Sequence, residues 1–433
     1  MPALPLGVCV FPPPRRNVAR TAQYGDYVHE ILGHAGLAYA SVPAAELGER
    51  LGDVRLLVTV GEGALPDDMA SRLEAWLRRG GAWIAIAGVC GRPDLFGVEV
   101  EPPAFASWGG GASTLGEGYL EPPDPDDTES GPLHFFNGIA VRPVGGRVRA
   151  GVRDVHGRPT SRAGLVEHRV GEGHTLLVAP DLTGSVVRIQ QGVAVTRDGV
   201  PAPDGTAPIA DDVLKSGDGA VLDWTFDRQP VPGSDGLTAF LRAVADEWRR
   251  LLVRAIAAMA TRVGIAVPAL WCHPRGLPAV AHLSHDTDGN DPDRARALLR
   301  ELARARVRST WCVILPGYPA ELLAAIRAAG HELAMHFDAV SSDGTFTEGE
   351  FDRQWRALRE LFGAPPVTNK NHYLRWEGDS EFYEWCARRG IRLEQSKGAS
   401  KTGEAGYNFG TCHLFHPVAP DGRPLPVWEL ATP

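Results

Sequence analysis

The last third of this 433-residue sequence alternates short apolar runs with amphipathic segments. The spacing predicts strands over 279–285, 308–315, 332–337, 366–371 and 391–394. Helices are expected between them, over 292–305, 320–329, 348–361 and 380–389. No hairpin turn joins consecutive strands. Each strand must therefore return through a helix, which makes the sheet parallel and predicts a (β/α) barrel. Functional side chains in such folds stand at the C-terminal strand ends, where the βα loops open.

Three of the predicted strands end in residues suited to metal or proton chemistry. The first runs into SHDTDG, with Asp286 and Asp288 at alternating positions. Alternating positions point the same way, about 7 Å apart along the chain. Two carboxylates so placed need a cation, a shared proton or abundant water. A second reading makes the stretch a turn that caps the next helix, since Asp291-Pro292 is a good helix start. The third strand ends at His336 and Asp338 in GHELAMHFD, and the fourth at Asn371 and His372 in TNKNHYLRW. Ligand-type residues from three strands at one sheet end predict a metal centre. Eight of the fourteen histidines lie beyond residue 272, which concentrates proton and ligand chemistry in this part.

On these motifs, residues 278–433 resemble the polysaccharide deacetylase family of distorted βα-barrel hydrolases. The family's first motif is a strand ending in two acids and a glycine, here SHDTDG; its second begins Gly-His-Glu and places a ligand histidine five residues on. The resemblance implies Asp286 as general base, with Asp288 and His336 as metal ligands. The position of the family's usual second histidine is Val340. The third ligand then falls to His372 first, Asp338 second and a water third. Arg375 is nearest to the arginine that orients the base. The family's closing Leu-x-His motif, which supplies the general acid, is missing before Pro433. His413 and His416 in TCHLFHP are the candidates for that role, and the barrel is expected to lack its last strand and helix. A carboxylate and histidine set most often holds zinc.

The expected activity is metal-dependent hydrolysis of an amide C–N bond, removing an acetyl group from an N-acetylated amino sugar or glycoconjugate. Two alternatives stand beside it: a degenerate barrel that only binds carbohydrate, and a C–N hydrolase acting on a small non-sugar amide. Trp311, Tyr373 and Trp376 are candidates for stacking on sugar rings or for core packing. His282, His285 and His331 read as strand residues, His285 with a supporting role behind the metal. The polar, glycine-rich stretch 395–410 reads as a substrate loop or lid, or as plain surface loop.

The N-terminal part also follows a βα pattern. A helix over 24–37 precedes a buried strand over 54–60, an amphipathic helix over 66–79, Gly80-Gly81 and a second strand over 82–87. This order fits an open parallel sheet. Residues 1–189 resemble the class I glutamine-amidotransferase-like fold, whose nucleophile elbow Gly-x-Cys-x-Gly corresponds to GVCGR with Cys90. Arg92 replaces the second glycine and no His-x-Glu pair follows, so Cys90 reads as a structural cysteine in a retired site. The resemblance also implies a homo-oligomer formed through this part.

Strands over 148–152, 163–170 and 175–178 are expected at its antiparallel edge, beyond a Gly/Pro-rich excursion over 108–125. His134, His156, His168 and His174 read as solvated or hydrogen-bonded. The predicted division is an amidotransferase-like domain over 1–190, a connector and interdomain helix over 191–264, and the barrel over 275–433.

Composition narrows the partners. With 53 acids against 44 bases and a net charge of -9, no basic footprint for nucleic acid is present. No apolar run reaches the length of a membrane span, and the N-terminus lacks the charge pattern of a signal peptide. The six cysteines show no clip spacing, which fits a reducing, cytoplasmic setting.

Overall fold

The computed structural model describes residues 4–12, 23–102, 113–122, 131–200, 209–271, 273–341 and 344–433. Parts of the 108–125 excursion lie outside them. The chain divides into two compact units, Met1–Ile189 with Val244–Pro274, and Gln190–Ala243 with Arg275–Pro433.

The first unit is built on a nine-stranded mixed sheet. Its parallel half runs Ala40–Ser41, Leu6–Val10, Leu56–Val60, Ala82–Ile86 and Gly173–Val178. Leu56–Val60 and Ala82–Ile86 are wholly buried, as their continuous apolar sequences require. The helix Asp67–Arg78 buries Leu73, Trp76 and Leu77. Gly173–Val178 lies within the sheet, parallel to Ala82–Ile86 and antiparallel to Pro159–Val170, so it joins the two halves instead of lying at the edge.

The long helix Val244–Arg262 packs with this unit, against Leu56–Val60, Ala82–Ile86 and Leu133–Phe135, through buried Trp248, Leu252, Ile256 and Met259. The helix is thus grouped with the first unit and not with the connector before it. The preceding connector belongs to the second unit, held by backbone bridges Val195 to Gly378, Lys215 to Arg375 and Phe240 to Gly406.

The second unit carries a six-stranded, all-parallel sheet in sequential order: Ser284–Asp286, Thr310–Val313, Glu332–Phe337, Thr368–Asn371, Leu393–Glu394 and Trp428–Glu429. The sixth strand comes from the LPVWEL stretch. Among the described residues no pairing joins the first strand to the sixth. The described strands thus form a parallel sheet in which closure of the expected barrel is not seen.

Helices Pro292–Ala305, Ala320–Ala328, Glu348–Phe362 and Glu381–Arg388 make the crossovers. Asp291 caps the first, accepting from the N–H groups of Asp293 at 2.9 Å and Arg294 at 3.1 Å. A cap of this kind stabilises by about 1 kcal/mol. Strand alternation sorts the two faces. Trp311, Val313, Leu333, Met335 and Phe337 join the apolar core with Phe351, Phe382 and Trp376. Asp286, Cys312, Ala334, His336 and Lys370 alternate with that set and share the other face.

Candidate metal centre

Asp288, His336 and His372 converge at the C-terminal end of this sheet. Asp288 Oδ1 lies 3.2 Å from His336 Nε2 and 3.3 Å from His372 Nδ1, and the two nitrogens are 3.1 Å apart. Donor atoms ~2.0–2.1 Å from a tetrahedral zinc ion lie about 3.3–3.4 Å from one another, so this triangle has the size of one face of that tetrahedron. The imidazole rings meet edge to face at 80°.

Local structure fixes each donor. His336 is buried in the third strand, and its Nδ1 lies 2.8 Å from the carbonyl oxygen of Lys370 on the neighbouring strand. That carbonyl can only accept, so Nδ1 carries the proton and Nε2 presents its lone pair to the triangle. Metal-binding histidines use this backing to hold one tautomer. Burial and the neighbouring His336 lower the pKa of His372, which keeps it a neutral donor at pH 7. The interaction with His336 outweighs desolvation and brings the Asp288 carboxyl down to about 2. The Asp288 carboxylate and the His336 Nε2 lone pair thus face one another across 3.2 Å, an arrangement that a cation stabilises.

Asp286 stands beside this triangle without joining it. Its Oδ2 lies 3.0 Å from Lys370 Nζ. Lys370 therefore serves twice, its carbonyl backing His336 and its ammonium holding Asp286. Sequence reasoning passed over Lys370, although it alternates with Asn369 and Asn371 and so shares a strand face with the site. Arg375, expected to orient the base, instead pairs with Glu377. The chain turns between Asn371 and Trp376 and draws that guanidinium toward its near neighbour.

The remaining candidates are distributed differently. Asp338 Oδ1 accepts from the N–H groups of Val340 at 2.9 Å and Ser341 at 2.8 Å, closing the turn after the third strand. His416 stacks on Trp428 with ring centroids 3.6 Å apart. The His413 N–H donates to Thr411 Oγ1 at 3.1 Å, before the sixth strand. His285 packs on Trp311 at 5.6 Å, on the face opposite Asp286, because neighbouring strand residues point apart. His331 Nδ1 accepts from the Ser309 N–H at 3.1 Å.

Trp311 and Trp376 are buried in the core, whereas Tyr373 is 55% exposed beside His372. The stretch 395–410 is anchored, with Lys401 Nζ bonded to Asp218 at 2.7 and 2.9 Å and paired with Asp198. That buried ion pair is at odds with a mobile lid.

In the first unit Cys90 has φ 52, the left-handed conformation of a nucleophile elbow, but its thiol is buried and pushed above its ordinary pKa by desolvation. Glu62 accepts the N–H groups of both neighbours, Val89 at 2.6 Å and Gly91 at 2.7 Å. Arg92, in place of the second glycine, has φ -121 and needs no glycine. Among the described residues no helix is long and apolar enough to cross a membrane.

No family model matches the sequence, and no curated protein matches it. Among solved structures, a β-galactosidase from Bacillus circulans sp. alkalophilus is similar at 11% identity and a TM-score of 0.32, covering 42% of this chain and 30% of that one. An exo-β-1,4-mannosidase from Opitutaceae bacterium strain TAV5 is similar at 19% identity and 0.28, covering 42% and 32%. A Mycobacterium smegmatis protein described provisionally as a polysaccharide deacetylase is similar at 20% identity and 0.28, covering 39% of this chain and 63% of that one. The chain thus spans about a third of the length of the first two structures. At these scores the likenesses carry no argument about this chain's fold or activity.

Proposed function

We propose that the second unit is a metal-dependent amide hydrolase that removes the acetyl group from an N-acetylated amino sugar or glycoconjugate. The observation that supports this reading is the donor triangle of Asp288, His336 and His372 with a separate carboxylate, Asp286, beside it. Three protein donors with a partly solvent-exposed carboxylate suit a catalytic centre, since structural zinc sites are closed by four protein ligands. A divalent cation held there lowers the pKa of a water toward neutrality and polarises the substrate carbonyl.

The chain's own groups supply the proton chemistry. Asp286 takes the proton of the attacking water at Oδ1, while Lys370 holds Oδ2 and keeps the carboxylate aimed. Loss of the amine requires a proton, for which His413 and His416 are the candidates. Exposed Tyr373 offers a face for a sugar ring.

A panel of N-acetylated sugars and oligosaccharides, with small linear and cyclic amides, tests the reading under zinc supplementation and chelation. Chelator-sensitive release of acetate from an N-acetylated sugar supports it. Turnover of small amides alone would move the assignment to a non-sugar amide. Sugar binding with no turnover would make the unit a carbohydrate-binding module.

A further inference from the structure

A cleft of about 420 Å³ lies on the helical side of the second unit, lined by Asp352, Trp355, Arg356, Arg359, Arg388 and Arg389. It is formed by the helix Glu348–Phe362 and the C-terminal end of Glu381–Arg388. Asp352, Trp355, Arg356 and Arg359 recur at helical spacing and share one face. One carboxylate, Asp352, lies in the lining beside four guanidinium groups, and Glu348 and Glu384 stand next to it.

The Asp352 carboxylate is ion-paired at Oδ2 with Arg356 at 2.8 Å and at Oδ1 with Arg389. Arg388 is held by Glu348 at 2.8 Å. Arg359 has no carboxylate partner among the described residues; its guanidinium sits 5.3 Å from the centre of the Trp355 ring. The Trp355 indole N–H is buried and has no acceptor. An unsatisfied buried donor is costly, and an unpaired guanidinium beside three others adds repulsion. An oxygen-rich anion in the cleft relieves the repulsion at Arg359.

We propose that this cleft binds a phosphoryl group, as free phosphate or as a phosphate monoester. Arginine forks bond pairs of phosphate oxygens, and Arg359 is the guanidinium left without a carboxylate to meet it among the described residues. The site is separate from the Asp288, His336 and His372 centre, and the proposal does not rest on the hydrolase reading.

Isothermal titration of the full chain with inorganic phosphate and with glycerol 3-phosphate, in a phosphate-free buffer, tests it. Saturable binding is expected, weakened about tenfold or more in Arg359→Ala, the loss expected for a charge-assisted hydrogen bond. Trp355→Phe keeps the ring, removes the N–H and is expected to weaken binding by a smaller factor. Arg304→Ala, an exposed arginine paired with Glu301, should bind as wild type does. Tighter binding of the ester points to an organic phosphate, and equal affinity to the free ion. Circular dichroism confirms that each variant is folded. The proposal is overturned by absence of binding at about 10 mM ligand, or by equal affinity in wild type and folded Arg359→Ala.

Discussion

Lys370 Nζ lies 3.0 Å from Asp286 Oδ2, and the carbonyl of the same lysine is 2.8 Å from His336 Nδ1. One residue thus touches both the proposed base and a proposed metal ligand. Its side chain acts on Asp286 and its backbone on His336, so substitution separates the two roles. Lys370→Met is expected to lower kcat about tenfold or more with little change in KM, because an unaimed base impairs chemistry more than binding. Lys370→Arg keeps the charge and should recover part of the loss. Metal content should stay near wild type in both, measured by elemental analysis beside steady-state kinetics.

The donor triangle predicts which substitutions remove metal. Asp288→Ala and His336→Ala should each lower the bound divalent cation by about tenfold or more in affinity. Asp338→Ala should not, since its carboxylate is engaged in the turn at Val340 and Ser341. Elemental analysis after dialysis against graded zinc reads the difference. Equal metal in wild type and both triangle variants would remove the basis of the assignment.

Asp286→Asn is expected to keep the metal and lose turnover. Removing a positioned general base costs about 10²–10⁴ in rate. Acetate release combined with metal analysis separates this outcome from simple unfolding or demetallation.

Lys401 carries a stability prediction. Its ammonium is buried against Asp218 and paired with Asp198, in a segment whose backbone N–H groups at Ser400 and Lys401 donate to Glu404 at 2.9 Å. Lys401→Met leaves buried acids without their cation. Breaking such a pair costs about 3–5 kcal/mol, which urea unfolding of the second unit would register.

Asp181 predicts a pH dependence in the first unit. It is buried, accepts N–H bonds from Gly184 at 2.9 Å and Gln23 at 2.5 Å, and desolvation raises its pKa to about 7. The folded state therefore holds the proton more tightly than the unfolded chain does. Its contribution to stability is complete below about pH 4, the ordinary aspartate value, and is lost as pH rises through about 7. The stability difference between wild type and Asp181→Asn should shift by a few kcal/mol over that window in favour of the variant at high pH. A flat difference from pH 4 to pH 8 would show that the hydrogen bonds to Asp181 offset burial.

Local sequence determined much of this molecule. Apolar periodicity located the helices of the second unit and its second to fifth parallel strands, because backbone geometry ties residue spacing to the buried face. Strand ends located Asp286, Asp288, His336 and His372 for the same reason. The first strand, expected over 279–285, is confined to Ser284–Asp286 because 279–283 is exposed and buries no face. The SHDTDGNDP stretch supports both of its readings, with Asp291 capping the helix and Asp286 and Asp288 left at the strand end.

Long-range relations were decided only by tertiary structure. Lys370 meets Asp286 across two intervening strands, and Arg375 turns to Glu377 instead. The long helix 244–262 joins the first unit, the connector before it joins the second, and the first and sixth strands of the second unit are not paired among the described residues. Sequence spacing specifies which way a side chain points from its own strand or helix. Which distant charge it meets depends on sheet order and register, which form only when the whole chain packs.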